Sequence, residues 1–136
     1  MFQVVPKAAV SAILMDGNRL LLVKRGCEPN KGLWSLPGGS IEPGETAREA
    51  VAREVAEETS LQVEAGRVAG VRDVIVRDGD LLRFHYVIIN FLAHVIGGEL
   101  KAASDAADAR WFEPEELREL PTTEGLLDSL TAVGVL

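Results

Sequence analysis

The chain has little with which to hold a nucleic acid, a disulfide or a membrane. Its 14 Lys and Arg are outnumbered by 21 Asp and Glu, a net charge of -7. That balance argues against a phosphate backbone as the main partner, because non-specific nucleic-acid binding needs a basic surface. An anionic small molecule would need a metal ion to approach. Cys27 is the only cysteine, so an intramolecular disulfide is excluded and a reducing compartment fits; it is a poor candidate for a catalytic nucleophile. No apolar run approaches the roughly 20 residues that span a bilayer. The start, Met1-Phe2-Gln3, lacks the positive charge of a secretion signal. The expectation is a cytoplasmic protein without membrane contact. Repeats, low-complexity tracts and linkers are also absent. With 136 residues, 47% of them hydrophobic, the chain is expected to form a single domain over residues 1–136 with a core of its own.

What is there alternates between strand and helix signals. Residues 8–15 and 19–23 are apolar runs flanking Asp16-Gly17-Asn18, a hairpin. Lys24 and Arg25 follow; they either solvate the strand end or, for Arg25, form a clamp for a phosphate-bearing substrate. Residues 26–32 read as a loop, and residues 33–36 as a short strand stopped by Pro37 and the pair Gly38-Gly39. That pair is either a tight turn or a place where backbone comes close to a bound group, since no Cβ intervenes. Residues 40–44 are a loop, after which Thr46 and Glu49 match a capping box and a helix runs to about Thr59-Ser60. Beyond Gln62 the pattern is β-like through Val76, turns at Asp78-Gly79-Asp80, and returns as an aromatic-rich strand over 81–95 broken by Gly97-Gly98. Residues 101–108 read as a polar loop, 109–112 as an edge strand, and 114–117 as a proline-started turn of helix. Thr122 or Thr123 is expected to cap a last helix carrying Leu126, Leu127, Leu130 and Val133. The fold class is α/β, a sheet packed between helices.

The central helix carries an anomaly. At roughly 100° per residue, Ala47, Ala50 and Val51 mark the face toward the core, and the same sector continues to Glu54, Glu57 and Glu58. Like charges three and four apart repel, and the carboxyl end of a helix disfavours anions. These three acids either form a solvated face, with Arg53 paired to Glu49 or Glu57, or surround a divalent cation. Their oxygens favour Mg²⁺ or Mn²⁺ over zinc. Trp34, Phe84, Tyr86 and Trp111 offer surfaces on which a base stacks, although aromatics in strands commonly serve the core.

Residues 39–61 closely resemble the Nudix box, GX5EX7REUXEEXGU with U a bulky aliphatic residue. Gly39, Glu45, Arg53-Glu54-Val55, Glu57, Glu58 and Leu61 occupy the fixed positions, and Ser60 replaces the last glycine. That glycine would sit just past the helix end, where left-handed backbone is common. The GLWSLPGG segment, the aromatic strand and the DARWFEPEEL segment extend the likeness over most of the chain. The resemblance implies an α/β/α sandwich with a mixed central sheet, and metal-dependent hydrolysis of a nucleoside diphosphate linked to another moiety. ADP-ribose-like compounds, nucleotide sugars, dinucleotides and (d)NTPs are the substrate classes, and a nucleoside monophosphate is the typical product. It assigns metal binding to Gly39, Glu54, Glu57 and Glu58, and catalysis to Glu54, Glu57 and Arg53, with Glu54 as ligand or general base and Arg53 orienting the glutamates. Glu45 pairs with Arg53 or caps the helix. Arg25, Gly38, Asp105 and Asp108 are substrate-side candidates, the two aspartates also as a base from a distant loop. Residues 63–80 contain no proline of the kind that helps mark ADP-ribose pyrophosphatases, so oxidised nucleoside triphosphates stay open. A nucleotide-sensing domain without turnover is the alternative, and isoprenoid diphosphate isomerisation is disfavoured by the short chain and the place of Cys27. Homodimers are common in the family, a point on which the sequence is silent.

Overall fold

The computed structural model describes residues 3–136; Met1 and Phe2, read above for the missing secretion signal, lie outside them. Among the described residues the chain forms strands β1 (Lys7–Asp16), β2 (Arg19–Arg25), β3 (Trp34–Ser35) and β4 (Gly38–Ser40), then helix α1 (Ala47–Thr59). Strands β5 (Leu61–Asp78), β6 (Leu81–Gly98) and β7 (Ala106–Phe112) follow, then the short helices α2 (Pro114–Leu117) and α3 (Leu126–Ala132).

The sheet runs β3-β2-β1-β6-β5, with β4 beside β1 and β7 beside β2. β1 and β6 are parallel from Lys7↔Tyr86 to Leu14↔Ala93, whereas the other strand pairs are antiparallel, so the sheet is mixed. The β1–β2 hairpin is brief: it pairs at Met15↔Leu20 and Asp16↔Arg19. The strands then part, and β4 lies against the vacated edge of β1 with Val10↔Gly39 and Ser11↔Gly38.

Alternation along the strands supplies two cores. Val10, Ala12 and Leu14 face Val51 and Val55 of α1. Ile13, Leu20, Leu22, Trp34 and Phe112 face Leu117 of α2 and Leu126 and Leu130 of α3. The fold is therefore the expected α/β/α sandwich. Val51 and Val55 are fully buried, and at roughly 1.5–3 kcal/mol for each such side chain they fix α1 on the sheet. The predicted capping box is present: Thr46 Oγ1 accepts from the Glu49 amide at 3.1 Å, and Glu49 Oε1 from the Thr46 amide at 3.1 Å.

Several expectations shift. Gly38-Gly39 is not a stop but most of β4, because a glycine backbone alone fits beside β1: a Cβ at Gly38 would lie 2.0 Å from the Val10 carbonyl oxygen. β6 runs through Gly97-Gly98, since Leu61 and Gln62 of β5 pair with them. β7 begins at Ala106 rather than 109, drawn out by the full length of β2. Thr122 and Thr123 do not cap α3. They extend the edge beside β3, the Thr123 amide donating to the Trp34 carbonyl at 3.0 Å, and Gly125 holds the cap position without a side-chain bond. Trp34 is buried edge-on to Phe112, centroids 4.9 Å apart, which removes it as a base-stacking surface.

Candidate active site

The C-terminal half of α1, the strand β4 and the loop between them converge on one cluster of charge. Arg53 is its hub. The guanidinium forks onto Glu45, with Nε donating to Oε2 at 2.7 Å and Nη2 to Oε1 at 2.9 Å. Nη1 donates to Glu54 at 2.9 Å and reaches Glu57 at 3.3 Å, while Nη2 also donates to the Ser40 carbonyl at 3.1 Å. A bidentate guanidinium–carboxylate pair is among the stronger charge-assisted contacts. Its hydrogen bonds hold the Glu45 carboxyl down at about 2, and Glu45 in turn raises the pKa of Arg53 above its ordinary value. Of the two sequence readings of Glu45, pairing is the one observed; the cap belongs to Thr46.

The glutamates differ in environment. Successive 100° steps place Glu58 next to the buried Val51 on the side away from Val55, Glu54 farther round, and Glu57 past Ala50 at the margin. Glu57 is accordingly exposed, with 47% of its side chain accessible against 17% for Glu54. It does not occupy the core-facing sector read from the sequence. Glu58 is largely withdrawn from water, which pushes its carboxyl up to about 8; the charge of Glu54 raises it further, while the Gly38 amide, donating at 3.1 Å, and the positive charge of Arg25 pull it down. Gly39 lies directly over Glu54, where a Cβ would stand 2.5 Å from the carboxyl carbon.

The end of α1 is closed by backbone rather than by a cation. The Lys101 amide donates to the Thr59 carbonyl at 2.9 Å and the Ala103 amide to the Glu58 carbonyl at 3.0 Å, which offsets the negative end of the dipole that made these acids anomalous. Ser60 does adopt the left-handed conformation, φ 65°, at a cost of about 1 kcal/mol for a non-glycine residue. Its hydroxyl donates to the Lys101 carbonyl at 2.9 Å, so the helix stops where a glycine would have stopped it.

The substrate-side candidates separate. Gly38 belongs to the cluster through its amide. Arg25 stands near enough to act on Glu58, with Nε donating to the Pro29 carbonyl at 2.8 Å. Asp108 is engaged elsewhere, by Arg110 Nε at 2.7 Å and the Ala109 amide at 2.8 Å. Asp105 is exposed and meets the Gly26 amide through its carbonyl at 2.8 Å. Among the described residues, no hydrogen bond joins either aspartate to the glutamates, and no three acidic, His or Cys side chains are gathered as a ready metal cage. Sequence reasoning missed the amide of Gly38 on Glu58 and the Ser40 carbonyl on Arg53; neither has a residue-type signature, since both are main-chain groups.

The donor set nonetheless suits a hard divalent cation. Two carboxylates share a space largely withdrawn from water, which pushes one of them, Glu58, up to about 8, beneath a glycine whose backbone has no Cβ to shield it. Comparison with known proteins bears on this arrangement. The NUDIX domain profile matches residues 5–132. The chain is 44% identical over 115 residues to an ADP-ribose pyrophosphatase of Methanocaldococcus jannaschii, 85% of this chain and 66% of that protein. To a putative 8-oxo-dGTP diphosphatase of Bacillus subtilis it is 32% identical over 112 residues, 82% of this chain and 68% of that one. The crystal structure of a MutT NUDIX hydrolase from Burkholderia pseudomallei superposes with a TM-score of 0.78 at 29% identity, covering 95% of this chain and 98% of the other.

Proposed function

The chain belongs to the Nudix family, and we propose that it hydrolyses the pyrophosphate bond of a nucleoside diphosphate linked to a second moiety, with ADP-ribose as the leading substrate. The observation that carries this reading is the Glu54–Glu58 pair under Gly39, braced by the Arg53 fork onto Glu45. Glu54, Glu58 and the Gly39 carbonyl are the resident ligand set for Mg²⁺ or Mn²⁺. Glu57, exposed and held only by the longer Arg53 contacts, is the carboxylate freest to join them. A bound cation supplies positive charge for the pyrophosphate oxygens and activates water.

The remaining work falls to the chain itself. Arg53 is a positioning residue: it fixes Glu54 while its charge keeps Glu45 ionised. Glu54 or Glu57 accepts the proton of the attacking water, and Arg25 binds a phosphate oxygen at the edge of the cluster. The likeness to an ADP-ribose pyrophosphatase supports the substrate class; that to an 8-oxo-dGTP diphosphatase, together with the proline-free residues 63–80, keeps oxidised nucleoside triphosphates as a second reading.

A panel of ADP-ribose, nucleotide sugars, dinucleoside polyphosphates and 8-oxo-dGTP, with Mg²⁺ and with EDTA, decides between them by the products released. AMP and ribose 5-phosphate from ADP-ribose, lost in EDTA, is the expected result. Tight binding with no product from any member would replace the enzyme by a sensor.

A further inference from the structure

Outside the glutamate cluster, the far half of the β5–β6 hairpin is the least protected part of the fold. β5 is the last strand of the sheet and pairs with β6 alone. Its first half is covered, Arg48 Nη1 donating to the Ala65 carbonyl at 2.6 Å. Over residues 71–78, among the described residues, no hydrogen bond from outside the hairpin reaches the β5 backbone. An uncovered edge is a template for another strand unless proline, a bulge or shortness blunts it. The segment has no proline, its register steps evenly from Val71↔Ile89 to Val76↔Phe84, and the one shift within it, between Val76 and Arg77, puts the extra residue on β6 rather than on the open edge of β5. Val71 and Ile75 are left 64% and 48% exposed.

The order of charges identifies what fits. Arg72-Asp73-Val74-Ile75-Val76-Arg77-Asp78, laid antiparallel on itself about Ile75, sets Arg72 opposite Asp78, Asp73 opposite Arg77 and Val74 opposite Val76. Each charge meets its opposite, and each aliphatic meets an aliphatic. Sliding by one residue in either direction sets Arg72 against Arg77, or Asp73 against Asp78. Like charges directly across a ladder destabilise it, so the sequence favours one register and penalises its neighbours. A second observation agrees. Arg72 is half-buried against α3, with Nη1 3.3 Å from Ser129 Oγ, and among the described residues it has no carboxylate partner.

We propose that β5 pairs antiparallel with β5 of a second copy of this chain across a two-fold axis at Ile75, joining two sheets into one and placing Asp78 of the partner subunit opposite Arg72. The axis makes every contact occur twice.

Cross-linking and charge exchange test this. In a Cys27→Ser background, needed because Cys27 is exposed, Ile75→Cys should form an intermolecular disulfide under mild oxidant. Residues directly opposite in an antiparallel pair lie about 4.5–5.5 Å apart at Cα, within disulfide reach. Val71→Cys, which the register places opposite Gly79, should not cross-link. By sedimentation, Arg77→Asp should weaken the dimer about tenfold, and Asp73→Arg with Arg77→Asp should restore it. All these side chains are exposed, and a melt of each variant confirms folding. A monomer at about 100 µM, a dimer indifferent to Arg77→Asp, or one that fails to cross-link at position 75 would overturn the proposal.

Discussion

The cluster around Arg53 and the far half of β5 both concentrate charge, and they balance it in opposite ways. Around Arg53 the anions Glu42, Glu45, Glu54 and Glu57 lie within 4 Å of one guanidinium, and Glu58 is half-buried beside them. The excess is negative and lies partly out of water, which pushes the Glu58 carboxyl up toward its neutral form. On β5, two arginines and two aspartates cancel within seven residues, all but the half-buried Arg72 standing in solvent. The difference teaches what each region still lacks: an imbalance calls for an ion of opposite sign, whereas a balanced, palindromic order calls for its own image.

The comparison breaks most readily at Glu58. Glu58→Gln should lower Mg²⁺-dependent turnover on the order of 10²–10³-fold while the melting curve remains cooperative; wild-type turnover in that variant would remove Glu58 from the ligand set. Gly39→Ala comes next, because its methyl would occupy the space of the Glu54 carboxylate. A displacement near 1 Å costs about a hundredfold, read as a fall in kcat with circular dichroism unchanged. Arg53→Lys keeps the charge and loses the fork. The expected loss is about tenfold in kcat, about 1.4 kcal/mol, and recovery of full activity would show that charge alone suffices.

Smaller effects sharpen the contrast. Without divalent cation, Glu58 takes up a proton more readily folded, near 8, than unfolded, near the ordinary glutamate value of 4.5. The native state then binds more protons between those values, so stability should fall as pH rises from about 4.5 to 8. Urea titrations in EDTA should show this slope, and Glu58→Gln should flatten it. On β5 the counterpart is quiet: Asp78→Asn in the monomer should change unfolding free energy by no more than about 0.5 kcal/mol, since its contact with Arg83 is 3.4 Å long and exposed.

The sequence exposed the site more fully than the sheet. The box spacing located Gly39, Arg53 and the glutamates, and the Thr46–Glu49 capping box placed the helix start. Periodicity put Glu57 on the core-facing sector with its neighbours, because a 100° step smears the edge of a face; only the packing of α1 on the sheet separates the half-buried Glu58 from the exposed Glu57. β4 was illegible for a different reason. Two glycines carry no strand propensity, and what makes them a strand is the edge of β1 beside them. The cap of α3 was misplaced because Thr122 and Thr123 have helix-start chemistry but are claimed by the edge beside β3.

The early parting of β1 and β2 has a bearing on what the chain can tolerate. Since Gly38 and Gly39 take their place from Ser11 and Val10, a lengthened connection over residues 26–32 should leave the cluster's geometry intact. Residues 40–45 have no such freedom, for Ser40 and Glu45 are both gripped by Arg53. Diversification of this molecule toward new substrates therefore has one elastic segment and one of fixed length, lying on either side of the same glycine pair.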